Sequence, residues 1–479
     1  MASRQLLFGW GAGLPKALHF PPSVLISPQV KPFTIPDRVA SHAVESRAPP
    51  MVRIPLAVES FTESLSSGNS TAEHAFPTIR PHATRLDWLS TFQKQVPDVQ
   101  LTHIAAGHLF SLVALYSQQR RESWLLGTGI NSRGQLGALP GHNRHWDVQL
   151  HQVTGRIKAV QCGREHALVV VTHGGGQSDR MERDYLYGCG SNAYGQLGDK
   201  STNSPAALGV PDQQLGDSSH PGFPPHTWPL HPLRLPNSPT SYADMACGLD
   251  HTILQLDDHR ICSMGWGADG QLGRGEKTQT LSTPGVIPRF SPHRIVKLAS
   301  RGDFTLALTE GHQVYVWGNS EYGQAMLGKR IDRILMPTLV PFNQPIVDIA
   351  AGGTHALVLT ASGEMYTCGY GALGLDPQGE QFETVIPTRI PWLKSNGIVV
   401  SVYCGLEYSA CLTDDGKLFM WGLNSPFHRL DPVAPDATEH VYQPHPVIFK
   451  GGAPTRGQVC VETVACGSHH VLARGHFSA

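Results

Sequence analysis

The sequence predicts an all-β fold, a seven-bladed β-propeller closed by pairing the N-terminal strand with the C-terminal blade. Two β-forming motifs recur along the chain, and each of them occurs seven times. The two series are out of phase at the chain ends, which a closed ring explains. Gly (50) and Pro (37) make up about 18% of the 479 residues, against an average of roughly 12%. That excess indicates a chain with many turns.

The first motif is an apolar residue, one or two small residues, Gly, two variable residues, and then His or an aromatic residue. It begins at Ile104, Val160, Met245, Leu298, Ile349, Val402 and Val464. Arg301 is the exception, because it stands where the other six copies have glycine. A repeat of roughly 50 residues is typical of propellers, in which each unit is one blade.

The second motif is a β-strand that ends in a bulky residue and Gly, followed by a Gly-rich turn such as Tyr194-Gly195-Gln196-Leu197-Gly198. Its Gly pairs begin at Phe8, Thr128, Cys189, Met264, Trp317, Cys368 and Trp421. The stretch from Ile349 to Gly374 contains both motifs around an Ala-Ser-Gly turn, which predicts a β-hairpin.

The chain ends explain how the ring closes. The strand at Leu6–Gly13 has no first motif before it, and the motif at Val464–Ala473 has no second motif after it. Pairing these two segments completes one blade and removes an exposed sheet edge. We therefore expect residues 1–479 to form a single propeller.

Two segments interrupt the repeat. Residues 15–97 are rich in Pro and Ser and follow the first strand, and residues 199–240 are rich in Pro and lie within the second unit. Both are predicted to be loop insertions. Long loops on a rigid scaffold are also common binding elements, so that alternative stays open.

Composition and motif content argue against several function classes. The formal net charge is −1, whereas nucleic-acid binders usually show a basic excess. The nine cysteines include no Cys-x-x-Cys pair, so we expect small buried side chains rather than disulfides or zinc ligands. No apolar run is long enough for a transmembrane helix, and no catalytic constellation, cofactor motif or metal site stands out.

Four motif histidines invite a metal interpretation: His166, His251, His355 and His470. Because they come from different blades at one repeat position, we expect them instead to be buried and to bond the backbone of a neighbouring blade. Trp317 and Trp421 should pack between blades in the same way.

The repeats resemble the regulator-of-chromosome-condensation repeat family. The resemblance rests on Ala246-Cys247-Gly248-Leu249-Asp250-His251, Asp415-Gly416, Val314-Tyr315-Val316-Trp317-Gly318 and Gly195-Gln196-Leu197-Gly198. It covers about residues 98–479 and the first strand. The stretch Ser263–Gln271 and the replacement Arg301-Gly302-Asp303 are most similar to a mitochondrial branch of that family.

That branch implies a matrix or inner-membrane-associated protein that serves mitochondrial ribosomal RNA modification and ribosome assembly. It also implies nucleotide exchange on a GTPase, such as the inner-membrane fusion dynamin. Partners would be the GTPase, RNA-modification factors and, indirectly, ribosomal RNA. Only five residues precede Leu6, which leaves little room for a presequence, so a cytoplasmic interaction adaptor is the alternative.

The candidate site lies in the two variable residues of the first motif, which repetition brings to one face of the ring. In relatives that act on the nuclear transport GTPase, acidic and His residues of these loops face the nucleotide site. Carried over position by position, the candidates in this chain are Glu165, Asp250, Asp303, Glu407 and His469. The alternative is that they are polar turn residues at strand ends. Such a face would repel phosphate, so RNA would need another surface.

Overall fold

The computed structural model describes most of the repeat region and three short segments before it. The ranges are 5–11, 51–54, 80–86, 88–138, 147–173, 182–198, 227–233, 235, 241–275, 280–288, 293–371, 373–392, 394–423, 440–450 and 458–477. In these ranges the chain forms seven sheets, each of which is one blade. Their strands pair antiparallel, except that Phe449–Lys450 pairs parallel with Arg80–Arg85. The predicted seven-bladed propeller is confirmed.

Each of the first three blades begins with its inner strand and ends with an outer strand. The first blade contains Val99–Ala106, Phe110–Ser117, Glu122–Gly129 and Asp147–Thr154, with Met51–Ile54 added at its outer edge. The second contains Arg156–Cys162, His166–His173, Arg183–Ser191 and Thr227–Pro232. The third contains Tyr242–Cys247, His251–Leu256, Ile261–Trp266 and Thr280–Val286.

The next three blades repeat this four-stranded order. The fourth contains Ile295–Ser300, Phe304–Thr309, Val314–Ser320 and Ile331–Leu339. The fifth contains Ile346–Ala351, His355–Thr360, Met365–Tyr370 and Glu383–Arg389. The sixth contains Val399–Cys404, Tyr408–Thr413, Leu418–Leu423 and His440–Pro446, and the turn Lys394–Asn396 that precedes it is 3₁₀-helical.

The seventh blade, called the closing blade below, joins the two ends of the chain. Its inner strands are Val459–Cys466 and His470–Phe477, followed by Leu6–Gly11, Arg80–Arg85 and the short strand Phe449–Lys450. The N-terminal strand pairs antiparallel with His470–Phe477, from Leu6 opposite Gly475 to Gly11 opposite His470. Each inner strand contacts the inner strand of the next blade, and the closing blade contacts the first, so the ring is complete.

The joint between the closing blade and the first blade carries several long-range hydrogen bonds. Arg474 Nη1 donates to the carbonyl oxygens of Leu101 and Thr102 at 3.1 and 2.9 Å. The Leu101 N–H donates to Gln5 Oε1 at 2.8 Å. These bonds hold the closing blade against the first blade, in addition to the chain connection that runs from Arg80–Arg85 through the helix Trp88–Gln95 to Val99.

Apolar side chains are buried between adjacent blades, where they form the core. Trp317 and Trp421 are fully buried as predicted, and the Trp317 indole N–H donates 3.0 Å to the Gln271 carbonyl of the preceding blade. The helix Trp88–Gln95 packs on the first blade, with the rings of Phe92 and Trp124 5.3 Å apart. No helix in the part of the chain that the structure describes is long and apolar enough to cross a membrane.

The structure shows what part of each predicted insertion does. Met51–Ile54 and Arg80–Arg85 are outer strands, and Trp88–Gln95 is a helix, all inside 15–97. The strand Thr227–Pro232 inside 199–240 is the outer strand of the second blade. Most of the remainder of both segments lies outside the described residues.

The motif histidines are buried as predicted, and His355 and His470 bond the backbone of Tyr408 and Phe110 in the next blade, also as predicted. In addition, each ring nitrogen Nε2 meets a hydroxyl oxygen of the next blade. The pairs are His166–Thr252 (3.2 Å), His251–Thr305 (3.3 Å), His355–Ser409 (2.8 Å) and His470–Ser111 (2.6 Å). A repeated hydroxyl at the residue after the motif His or aromatic explains this, because the repeat carries a partner for each ring in the next blade.

Candidate functional site

One face of the ring collects all the loops between the first and second strands, together with the ends of the third strands. We call it the loop face. At Gly265 the third strand passes so close to the loop of its own blade that a Cβ would stand 2.4 Å from the Asp250 carbonyl oxygen. Gly265 also has φ 109°, a backbone conformation that favours glycine. The next residue, Trp266, donates its N–H to that carbonyl at 2.8 Å.

The same contact recurs in five other blades, so the repeat places these loops alike. In each case the residue after the third-strand glycine donates to the second variable residue of the loop. The pairs are Ile130–Leu109, Ser191–Glu165, Asn319–Asp303, Tyr370–Thr354 and Leu423–Glu407, at 2.7–3.0 Å.

Backbone hydrogen bonds also join one loop to the next around the ring. The bonds are Arg164 N–Leu249 O, Leu249 N–Gly302 O, Gly302 N–Gly352 O, Gly353 N–Leu406 O, Ser468 N–Gly107 O and His108 N–Arg164 O, at 2.8–3.3 Å. The side chains of the loop face therefore stand on a fixed backbone, as a binding site on a rigid scaffold requires.

The topology brings all five predicted site residues to the loop face. Glu165, Asp250, Asp303, Glu407 and His469 occupy the same loop position in the second, third, fourth, sixth and closing blades. Their environments differ, however, and these differences separate the carboxylates that already have a cation from those that do not.

Asp250 and Glu165 face arginines. Asp250 is buried, and its carboxylate accepts a hydrogen bond from the Arg164 guanidinium of the second blade. Burial raises the pKa of Asp250 although the Arg164 charge opposes the shift. Glu165 is more exposed, and its Oε2 lies 3.7 Å from Arg133 Nε. An incoming cation would have to displace an arginine from either carboxylate.

Asp303 and Glu407 form no ion pair within the described residues. Asp303 Oδ1 accepts only a 3.4 Å hydrogen bond from Gln271 Nε2. Burial, followed by the charges of Asp269 and Asp250, raises the pKa of Asp303 to about 6. Glu407 is exposed. These two side chains are the ones best prepared to meet a positive group on a partner.

His469 lies against His108, and the two rings are 5.0 Å apart in an edge-to-face arrangement. Burial lowers the pKa of both histidines, and His108 further lowers that of His469. Both are consequently neutral near pH 7, so this part of the loop face offers polar nitrogens without a charge.

Arg301 has a structural role that sequence reasoning did not identify. Its guanidinium crosses the centre of the ring from the fourth blade and donates to the carbonyl oxygens of Ala106 and Cys466. These carbonyls end the inner strands of the first and closing blades. The one available signal was that Arg301 replaces glycine, which marks the position without revealing its target.

The loop face also carries two aromatic pairs that the sequence reasoning missed. The rings of Tyr194 and Trp266 lie 5.1 Å apart, and those of Tyr322 and Tyr370 lie 5.6 Å apart. In both cases a turn residue of one blade meets the residue after the third-strand glycine of the next. The signal was present in the repeat, since these positions can be aligned from the glycines.

Among the residues that the structure describes, no metal-ligand set and no disulfide are brought together. No group of three or more His, Cys, Asp or Glu side chains among the described residues is arranged to hold a metal ion. All nine cysteines are free, and eight of them are buried. Burial raises the pKa of Cys162, Cys247, Cys404 and Cys466, the four at the inner-strand ends, so these thiols stay protonated.

The repeats match those of known proteins. Residues 258–308, 312–359 and 362–412 match the regulator of chromosome condensation (RCC1) repeat. The mouse RCC1-like G exchanging factor-like protein is 30% identical over 351 residues, which cover 68% of each chain. The mitochondrial RCC1 domain-containing protein RUG3 of Arabidopsis thaliana is 32% identical over 240 residues, covering 48% of this chain and 50% of RUG3.

Solved structures show the same fold. The crystal structure of human WBSCR16 superimposes with a TM-score of 0.65 at 24% identity and covers 99% of both chains. Prp20p of Saccharomyces cerevisiae superimposes with a TM-score of 0.60 at 16% identity, covering 100% of this chain and 93% of Prp20p. These likenesses place the chain among propellers of one architecture.

Proposed function

Because the chain belongs to the RCC1-repeat propeller family, we propose that it binds a GTPase through the loop face and promotes release of its guanine nucleotide. The observation that carries the proposal is the pair of carboxylates without an ion pair among the described residues, Asp303 and Glu407, on a backbone fixed by inter-loop hydrogen bonds. Two relatives whose names describe G exchange support it.

The chemistry of release needs only position and charge. A GTPase holds its phosphates with a lysine, backbone N–H groups and Mg²⁺. A carboxylate pressed toward that loop competes for the lysine and disfavours the metal and the phosphates. The nucleotide-free form is then bound more tightly than the loaded form, and this differential affinity drives exchange. The protein acts in this proposal as a non-catalytic binding surface and makes or breaks no covalent bond.

Labelled-GDP release from a panel of GTPases, including the inner-membrane fusion dynamin, tests the proposal. Acceleration by the wild type, reduced in Glu407→Gln, is the expected result. Glu407 is exposed, so this variant keeps the fold. Absence of acceleration on every GTPase of the panel would overturn the proposal.

A second function is favoured by the similarity to the mitochondrial relative RUG3. In it the propeller is a matrix or inner-membrane-associated scaffold for mitochondrial ribosomal RNA modification and ribosome assembly. The acidic loop face repels phosphate, so RNA would be reached through protein partners. Imaging the tagged full-length protein separates this function from that of a cytoplasmic adaptor. Exclusion from mitochondria would contradict it.

A further inference from the structure

The fourth and fifth blades expose three aromatic side chains at one place on the loop face. Tyr322, Tyr370 and Phe382 are 40%, 47% and 46% exposed. The rings of Tyr322 and Tyr370 are 5.6 Å apart. Phe382 lies close to them, because its carbonyl accepts the 2.8 Å hydrogen bond of Gly371, the residue after Tyr370. We call these three residues the aromatic patch.

The turns that carry the patch are held in place. The Tyr322 N–H donates to Gln324 Oε1 at 3.1 Å, and the Tyr370 N–H donates to the Thr354 carbonyl at 3.0 Å. Tyrosines on a fixed backbone lose little conformational freedom when a partner covers them, which is why they dominate protein interfaces. Folding alone gives no reason to expose three such rings together.

Small side chains leave room beside the patch. The loop of the fifth blade carries Gly353 and Thr354, and Thr354 stands where the neighbouring blades carry Asp303 and Glu407. The Gly353 N–H donates to the Leu406 carbonyl at 2.8 Å, so Glu407 follows directly on one side. Asp303 lies on the other side, in the blade that carries Tyr322. The aromatic patch therefore lies beside an uncharged loop, Gly353-Thr354, and this loop has a carboxylate on each side.

The surrounding charges select the occupant. Glu321, next to Tyr322, is exposed and forms no ion pair among the residues that the structure describes. Three cations follow the Tyr322 turn. Arg330 pairs with Glu383, and Arg333 lies 3.9 Å from Asp269. Lys329 is therefore the one of the three that has no ion pair among the described residues. The uncompensated charge is acidic. Such a surface repels phosphate and a second copy of itself, and attracts a basic group whose methylenes lie on aromatic rings.

We propose that the aromatic patch docks a segment of the partner protein that combines Arg or Lys with apolar residues. The cation lies over the tyrosine rings, toward Asp303 and Glu407, and the apolar residues cover Phe382. The inference rests on the proposed function only in taking the loop face as the face that meets the partner. It adds a second contact, which does not require the nucleotide.

Binding of fluorescein-labelled peptides to the full-length protein tests the inference without any GTPase. The probes are a short peptide of alternating Arg and Leu, the same peptide with Gln for Arg, and a short oligo-uridine RNA. We expect only the Arg-Leu peptide to bind, and salt to weaken it. We expect Tyr370→Ala and Tyr322→Ala each to weaken that binding by about tenfold or more.

Two further variants separate the explanations. Ile398→Ala removes a 63% exposed apolar side chain at the opposite end of the sixth blade, and it should leave peptide binding unchanged. Tyr370→Leu keeps apolar area but removes the ring electrons, so it should weaken the Arg-Leu peptide as well. Thermal unfolding of each variant, expected to match the wild type, establishes that the fold is kept.

Several results would overturn the inference. These are equal binding of the Gln and Arg peptides, preferential binding of the RNA, an unchanged affinity in Tyr370→Ala, or self-association of the wild type that Tyr370→Ala abolishes. Nucleotide release is a separate measurement. Peptide binding without exchange would contradict the proposed function alone, and exchange without peptide binding would contradict this inference alone.

Discussion

The guanidinium of Arg301 donates a 3.0 Å hydrogen bond to the carbonyl oxygen of Ala106, 195 residues away in the sequence. A second donor of the same side chain reaches the carbonyl of Cys466. The two acceptors end the inner strands of the first blade and the closing blade, which are neighbours in the ring. Arg301 therefore links the fourth blade to these two blades.

Replacing Arg301 with glycine restores the residue that the other six repeats carry, and we expect it to destabilise the protein. The change leaves two buried carbonyl oxygens without a charged donor, which costs about 2–4 kcal/mol. Urea unfolding measures the free energy of unfolding. Arg330→Ala, which removes an exposed ion pair with Glu383, is the control and should cost less than about 1 kcal/mol. Equal stabilities of the Arg301→Gly variant and the wild type would contradict the role of Arg301.

The N-terminal strand should contribute strongly to stability, because it completes the closing blade. Phe8 is fully buried, with its ring 4.9 Å from that of Phe449. We expect Phe8→Ala to cost about 3–5 kcal/mol of unfolding free energy. Ile448→Ala, at a 56% exposed side chain beside Phe449, should change it little. Similar effects of the two changes would mean that the first strand is not part of the core.

The ring closure could be predicted from sequence because each motif has a fixed place in its blade. The unmatched strand at Leu6 and the unmatched motif at Val464 could pair only with each other. The outer strands were harder to find. Thr227–Pro232 lies among prolines that suggested a loop, but Pro229 and Pro232 are tolerated because the strand is at the edge of its sheet.

The candidate site was only partly predictable. Repetition places Asp250, Asp303 and Glu407 on one face, and this requires no knowledge of contacts. Which carboxylate has a cation depends on side chains from other blades, such as Arg164 on Asp250. The same holds for Arg301 and for the Tyr322–Tyr370 contact, since long-range contacts have no local sequence signal.

Acid should destabilise the protein through its buried histidines. Burial lowers the pKa of His166, His251 and His470 to about 3 and that of His355 to about 4, against about 6.5 in the unfolded chain. Their contribution is therefore complete above about pH 6.5 and is lost as the pH falls below it. Each histidine contributes at most about 1.4 kcal/mol per pH unit. Urea unfolding between pH 7.5 and 5 should show a steep fall, and a flat profile would contradict neutral burial of these rings.

Asp303 should have the opposite effect on the pH dependence of stability. Its pKa of about 6 in the folded protein lies above the value of 3.8 for an ordinary Asp, so its charge costs stability above pH 6 and the cost disappears as the pH falls toward 4. We expect Asp303→Asn to stabilise the protein by about 1–3 kcal/mol at pH 8. The acid-induced loss should also become steeper. Urea unfolding at pH 8 and pH 5 measures both effects, and a destabilised variant at pH 8 would show that the charge is compensated.

Asp303→Asn should also slow nucleotide release, although it stabilises the fold. A charge that costs stability is expected where it is needed for binding. Glu407→Gln provides the matched comparison, because its side chain is exposed and its removal should leave stability unchanged. The rate of labelled-GDP release from the GTPase, at fixed propeller concentration, should fall about tenfold or more in both variants. Normal release in Asp303→Asn would show that the fourth-blade loop does not contact the partner.

The most direct test of the central claim is labelled-GDP release in the presence of the wild type, Glu407→Gln and Ile398→Ala, on the GTPase that responds to the wild type. If the loop face binds the GTPase, the wild type and Ile398→Ala should both accelerate release, because Ile398 lies at the opposite end of the sixth blade. Glu407→Gln should lose the acceleration. Equal acceleration by all three proteins, or by none, would contradict binding through the loop face.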